Sequence, residues 1–117
     1  MLRDDIPTIA QPNHWCLIGG LADEGEEPRQ TFIRESEEEI NARLEQLIEL
    51  PLFEFRNTWH GVFVMELGDE EFKALKLGDE GQRFDFFHLS QALQLPLTTV
   101  SRAYLEQQSK LVRHYID

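Results

Sequence analysis

The sequence predicts an α+β fold, with strands and helices in separate stretches of one chain. Three observations carry that expectation. Short runs rich in aromatic and β-branched residues recur at 14–18, 53–59, 61–67 and 83–89, which is the composition of strands. Between residues 28 and 40 the spacing becomes helical, with Phe32, Ile33 and Ile40 inside one arc of about 100°. Glycine and proline punctuate the runs at Gly19-Gly20, Pro51 and Gly68.

Taken in order, residues 1–13 contain Pro7 and Pro12 among polar residues and read as a loop. Residues 14–18 form a strand that stops at Gly19-Gly20, and 21–27 form an acidic loop around Gly25. Pro28 suits the first turn of a helix, where a missing N–H is harmless. That helix runs to about Ile40, with Glu35, Glu38 and Glu39 on an arc away from its apolar stripe. Residues 44–50 fit either more helix or a loop leading to a strand, and Pro51 interrupts them. Two strands follow, at 53–59 and 61–67, then a turn at 68–71. Residues 72–77 have no decisive pattern; 78–82 are a loop, 83–89 a strand and 90–93 a short helical turn. Thr98 can cap a last helix to about Tyr115, with Val100, Tyr104, Leu111 and Tyr115 on its apolar face.

The chain has 117 residues and is read as a single domain over 1–117. Its formal net charge of −11 argues against a duplex nucleic acid partner. A small phosphate ligand stays compatible, because bound cations invert the local sign. Cys16 is the only cysteine, so an intrachain disulfide and a cysteine-based zinc site are excluded. No apolar run spans a bilayer and no basic, apolar leader opens the chain. The expectation is a cytoplasmic protein with no membrane partner.

Three carboxylates on one helical arc repel one another by a few tenths of a kcal/mol per pair. A solvated acidic face is the ordinary explanation for such a run. The alternative is a divalent cation, which removes the repulsion and takes hard oxygen donors. The wider register decides between them. Gly20 is followed after five residues by Glu26, then after seven by Arg34-Glu35, and then by Glu38-Glu39. This resembles the Nudix box: glycine, five residues, glutamate, seven residues, Arg-Glu, an aliphatic, any residue, Glu-Glu, any residue, glycine, an aliphatic. Gly20, Glu26, Arg34, Glu35, Glu38 and Glu39 match in register, while Ser36 replaces the aliphatic and Asn41 the glycine. Asparagine tolerates the left-handed conformation that a helix end often needs, so that change is mild. Ser36 lies within the arc of Phe32 and Ile40 and should weaken packing by about 1 kcal/mol or more if its hydroxyl lacks a partner.

Two further stretches are similar to the family. Asp79-Glu80-Gly81-Gln82 looks like the Glu-Gly-Gln loop of many MutT-like members, and that resemblance assigns Glu80 as a metal ligand or base. Leu2-Arg3-Asp4-Asp5 through Asn13-His14-Trp15 to Gly19-Gly20 is similar to members that read Leu-Arg-Asp-Asp, then His-Trp-Gly-Leu, then Gly-Gly, with Cys16 in place of a glycine.

The resemblance implies an α/β/α sandwich around a mixed β-sheet. It implies hydrolysis of a diphosphate linkage in a small nucleotide or nucleoside diphosphate derivative, with Mg²⁺ or Mn²⁺. Glu35, Glu38, Glu39 and the Gly19 carbonyl would hold the metal. Glu38, Glu35 or Glu80 would orient or deprotonate water. Arg34 would pair with Glu26, and Gly20 and Glu26 would support the box. Family members carry a longer strand segment before the Leu-Arg-Asp-Asp stretch, which lies almost at Met1 here. The expectation is therefore a fold lacking that N-terminal strand, and with it either a homodimer that covers the exposed edge or a catalytically weak nucleotide-binding domain. Trp15, Trp59, Phe84, Phe86 and Phe87 are expected in the core ahead of stacking on a base. His14, His60, His88 and His114 show no metal-ligand spacing.

Overall fold

The computed structural model describes residues 1–42 and 46–116, in the order α1 (Pro28–Ile40), β1 (Ile48–Phe55), β2 (Thr58–Val64), α2 (Asp69–Lys73), α3 (Leu89–Ala92), α4 (Thr99–Gln107) and α5 (Ser109–Ile116). The class is α+β. The chain divides into two compact units, one of Ile18–Glu80 and one of Met1–Leu17 with Gly81–Asp117.

In the unit Ile18–Glu80, α1 has the bounds that Pro28 and the apolar spacing predict. Pro28 begins it, and the Gln30 side chain accepts the Glu27 N–H at 2.8 Å, satisfying one of the free amides of the first turn. Asn41 ends it at φ 57° and ψ 31°, the left-handed conformation expected there. Ile40, Ala42, Leu50, Phe53 and Phe63 form the buried apolar set. Phe32 lies against Phe63, ring centroids 5.1 Å apart, which seats α1 on β2.

The hairpin differs from the sequence reading. Strand pairing begins at Ile48, so the later part of the ambiguous 44–50 stretch is strand, while residues 43–45 fall outside the described residues. Pro51 does not end the strand; the register slips between Leu50 and Phe53, a bulge that accommodates a residue without an N–H. The turn falls at Arg56-Asn57, not at His60 as the run boundaries suggest, and Phe55 pairs directly with Thr58. Both turn residues have positive φ, 50° and 66°, the pattern of a two-residue type I′ turn. Without a glycine, that turn is invisible to a scan for Gly and Pro. Residues 69–73, expected as turn and patternless chain, form the short helix α2.

In the unit of residues 1–17 and 81–117, the two expected strands shrink to isolated bridges. Trp15 pairs antiparallel with Leu2 and parallel with Leu97, and Leu2 also pairs with Arg83. The mixed pairing of the expected sheet thus survives at one residue, and Phe84 to His88 join no ladder. The single C-terminal helix expected from Thr98 is broken at Gln108 into α4 and α5. Thr98 precedes α4, but its hydroxyl donates to Ser101 Oγ at 2.9 Å; the Thr99 N–H is instead accepted by Gln11 Oε1 at 3.1 Å. Trp15, Leu89, Tyr104, Leu105 and Val112 are buried here, while Tyr115 is exposed.

Candidate active site

Arg34 organises the loop and the helix. Its Nε and Nη2 donate to the two Glu26 carboxylate oxygens at 2.8 and 3.0 Å, a bidentate pair of the strong kind. Nη2 also donates to the Leu21 carbonyl at 3.1 Å, and Asp23 lies 3.4 Å from Nε. Glu26 further accepts the Asp23 N–H and the Thr31 hydroxyl, each at 2.9 Å. The Arg34 guanidinium, with the Asp23 amide, holds the Glu26 carboxyl down at about 2. Glu26 in turn holds Arg34 above its ordinary value. Residues 21–26 are thereby tied to the middle of α1.

The third guanidinium nitrogen faces the candidate ligands. Arg34 Nη1 donates to Glu35 at 2.9 Å and to Glu38 at 3.1 Å. Glu35 is mostly covered and Glu38 largely exposed. Gly20 explains how the Glu35 carboxyl fits, since a β-carbon on residue 20 would stand 2.5 Å from the Glu35 carboxyl carbon.

Glu39 is different in kind. It is 8% exposed, and its Oε2 accepts the Gly19 N–H at 3.3 Å. Burial pushes its carboxyl up to about 7; the Gly19 amide opposes the shift, and the fields of Glu35 and Glu80 add to it. Glu80 is itself exposed. The three box glutamates thus share a helical arc but occupy three environments: Glu39 buried, Glu35 under Gly20, Glu38 in solvent.

Among the described residues, no three His, Cys, Asp or Glu side chains are gathered closely enough to hold a metal ion. The donor set still suits a hard cation. It consists of carboxylate oxygens on adjacent helix turns, one of them buried among like charges, where desolvation disfavours its ionised form.

The aromatic residues sort unevenly. Trp15 is core, edge-on to Phe87 with centroids 5.2 Å apart and beneath the Arg83 guanidinium. Trp59 and Phe86, expected in the core, are 63% and 55% exposed. Gly61, two residues after Trp59, lies against Pro28, the first residue of α1. Sequence reasoning missed Asp23, Thr31 and the Leu21 carbonyl as partners of the Glu26–Arg34 pair. No spacing rule marks them. Among the described residues no helix is long and apolar enough to cross a membrane.

Comparison with known proteins gives three findings. The sequence matches no curated protein. The fold is similar to the crystal structure of a C. elegans Ap4A hydrolase binary complex, with TM-score 0.62 and 23% identity over 97% of this chain and 85% of that one. A family model described as the NUDIX domain matches residues 5–108. That match covers most of the chain and contains the Glu26–Arg34 clasp and the three box glutamates, so the chain belongs to the NUDIX domain family and is a pyrophosphohydrolase of the Nudix type.

Proposed function

We propose that the chain, acting as one domain over residues 1–117, hydrolyses a diphosphate linkage in a nucleoside diphosphate derivative or nucleotide, using Mg²⁺ or Mn²⁺. Buried Glu39 is the observation that carries this reading. A carboxylate 8% exposed, beside Glu35 and Glu80 and bonded to one backbone amide, is unfavourable as it stands. Glu35, Glu38 and Glu39, with the Gly19 carbonyl, would hold the cation. When bound, the cation neutralises charge on the diphosphate and lowers the pKa of a water.

The chain's own side chains do the rest. Arg34 keeps residues 21–26 on α1 through Glu26, so Gly20 stays over Glu35. Glu38, open to solvent, can orient or deprotonate the attacking water, a task also within the chemistry of Glu35 and Glu80. Products are a nucleoside monophosphate and a phosphate ester, or pyrophosphate from a triphosphate.

The similar C. elegans fold is named an Ap4A hydrolase, which supports testing dinucleoside polyphosphates first. Nucleotide sugars, ADP-ribose and oxidised nucleoside triphosphates complete the panel. Products are separated chromatographically with Mg²⁺ or with chelator, for the native chain and for Glu38→Gln. The expected result is Mg²⁺-dependent turnover that falls by about a hundredfold or more in the variant. Metal-dependent nucleotide binding without turnover would identify a binding domain instead. Failure to bind Mn²⁺ at millimolar concentration would remove the cation site.

A further inference from the structure

The end of α1 carries a second construction that the glutamate box does not explain. The last four carbonyls of a helix have no partner within it. Here the Asn41 N–H takes the Glu37 carbonyl at 2.9 Å. Two more are taken by a distant segment: the Gly78 N–H donates to the Glu39 carbonyl at 2.8 Å and the Lys76 N–H to the Ile40 carbonyl at 2.9 Å. The Asn41 side chain extends the same junction, its Nδ2 donating to the Ala74 carbonyl at 2.9 Å. Residues 74–78 therefore lie on the C-terminal end of α1, with Glu80 two residues further on.

Two residue choices make this docking possible. The left-handed conformation of Asn41 is open to glycine as well. Glycine would close the helix but would have no amide to reach Ala74. Gly78 acts through space: a β-carbon there would collide with the Glu38 carbonyl oxygen, a helix backbone atom that cannot swing aside. Any larger residue at 78 pushes the segment off the helix.

We infer that Asn41 and Gly78 are positioning residues that dock residues 74–78 on α1 and so hold Glu80 at the glutamate cluster. The docking stands on the hydrogen bonds themselves; its catalytic consequence rests on the assignment of Glu80 proposed above.

Two measurements test it. In the metal-free protein, amide hydrogen exchange followed by NMR reads the docking directly. Asn41→Gly keeps the helix cap and should speed exchange at Lys76 and Gly78 by about tenfold, the loss of one modest hydrogen bond, while amides of the β1–β2 hairpin stay unchanged. Unchanged exchange at both amides would overturn the docking role of Asn41. Gly78→Ala should have the larger effect, and exchange at Lys76 equal to that of the native chain would remove Gly78.

The second measurement is a double-mutant cycle with Mg²⁺ and the best substrate of the panel. Asn41→Gly should lower kcat by about tenfold and leave KM within about twofold, and Glu80→Gln should lower kcat by about a hundredfold. The doubly substituted protein should be no slower than Glu80→Gln alone, because misplacing an absent carboxylate has no further effect. A full additional tenfold loss would show that Asn41 acts elsewhere and defeat the inference. No loss of kcat in Glu80→Gln would defeat the assignment of Glu80 itself, leaving the exchange result to stand for the docking alone.

Discussion

Ser36 shows how far a single position can be read in advance. Its place in the arc of Phe32 and Ile40 follows from 100° per residue, and it is fully buried. Whether the hydroxyl finds a partner depends on what packs against it, and among the described residues Ser36 Oγ has none. A buried, unbonded hydroxyl is unfavourable. Ser36→Ala should therefore stabilise the protein by about 1 kcal/mol, read as a higher urea midpoint with an unchanged slope. A lower midpoint would mean that the hydroxyl is satisfied. Gly20 gives the converse case, a residue conspicuous in the motif whose reason is spatial. In Gly20→Ala the new methyl meets the Glu35 carboxyl, the far end of a flexible side chain. Stability should change little, but Mn²⁺ affinity should fall by about tenfold as Glu35 moves, measurable by calorimetry. Equal affinity in the two proteins would separate Gly20 from the cation site.

At the scale of elements, α1 was the most legible. Proline at its start, apolar spacing along it and asparagine at its end are local signals, so both boundaries agree with the structure. The hairpin was legible as two strands but not in its turn, because Arg56-Asn57 lacks the glycine that usually marks positive φ. The loop of residues 21–26 became an element only through Arg34. Glu26 has a folded value of about 2, below its ordinary 4.5, so the ionised form is favoured by folding. Its contribution is full above about pH 4.5 and is lost as the pH falls through 4.5 toward 2. Urea unfolding from pH 6 to pH 2 should show Glu26→Gln less stable than the native chain by a constant margin above pH 4.5, and the margin closing below it. A margin that does not narrow in acid would show that the Glu26 charge is not what ties the loop.

For the molecule as a whole, the net charge of −11 has a direct consequence. Self-repulsion of like charges weakens the compact state and is screened by salt, whereas the partly covered Arg34–Glu26 pair is screened less. The thermal midpoint of the metal-free protein should rise between about 0.01 and 0.15 M NaCl. Mg²⁺ at matched ionic strength should raise it further, because binding adds about 2.7 kcal/mol of stability at a hundredfold excess over Kd, and Glu39→Gln should abolish that extra rise. An identical response to both salts would argue against a specific site. The sequence by itself determined the family, the bounds of α1 and the arc shared by Glu35, Glu38 and Glu39, because motif register and helical period are local properties of the chain. Tertiary structure alone decided that Glu39 is the buried carboxylate, that Arg34 is shared among Glu26, Glu35 and Glu38, and that two expected strands shrink to bridges at Trp15 and Arg83. It also decided that Asn41 and Gly78 fasten a distant segment to the end of the box helix. Burial, pairing and close approach depend on residues far apart in the chain, and no local pattern encodes which of them meet.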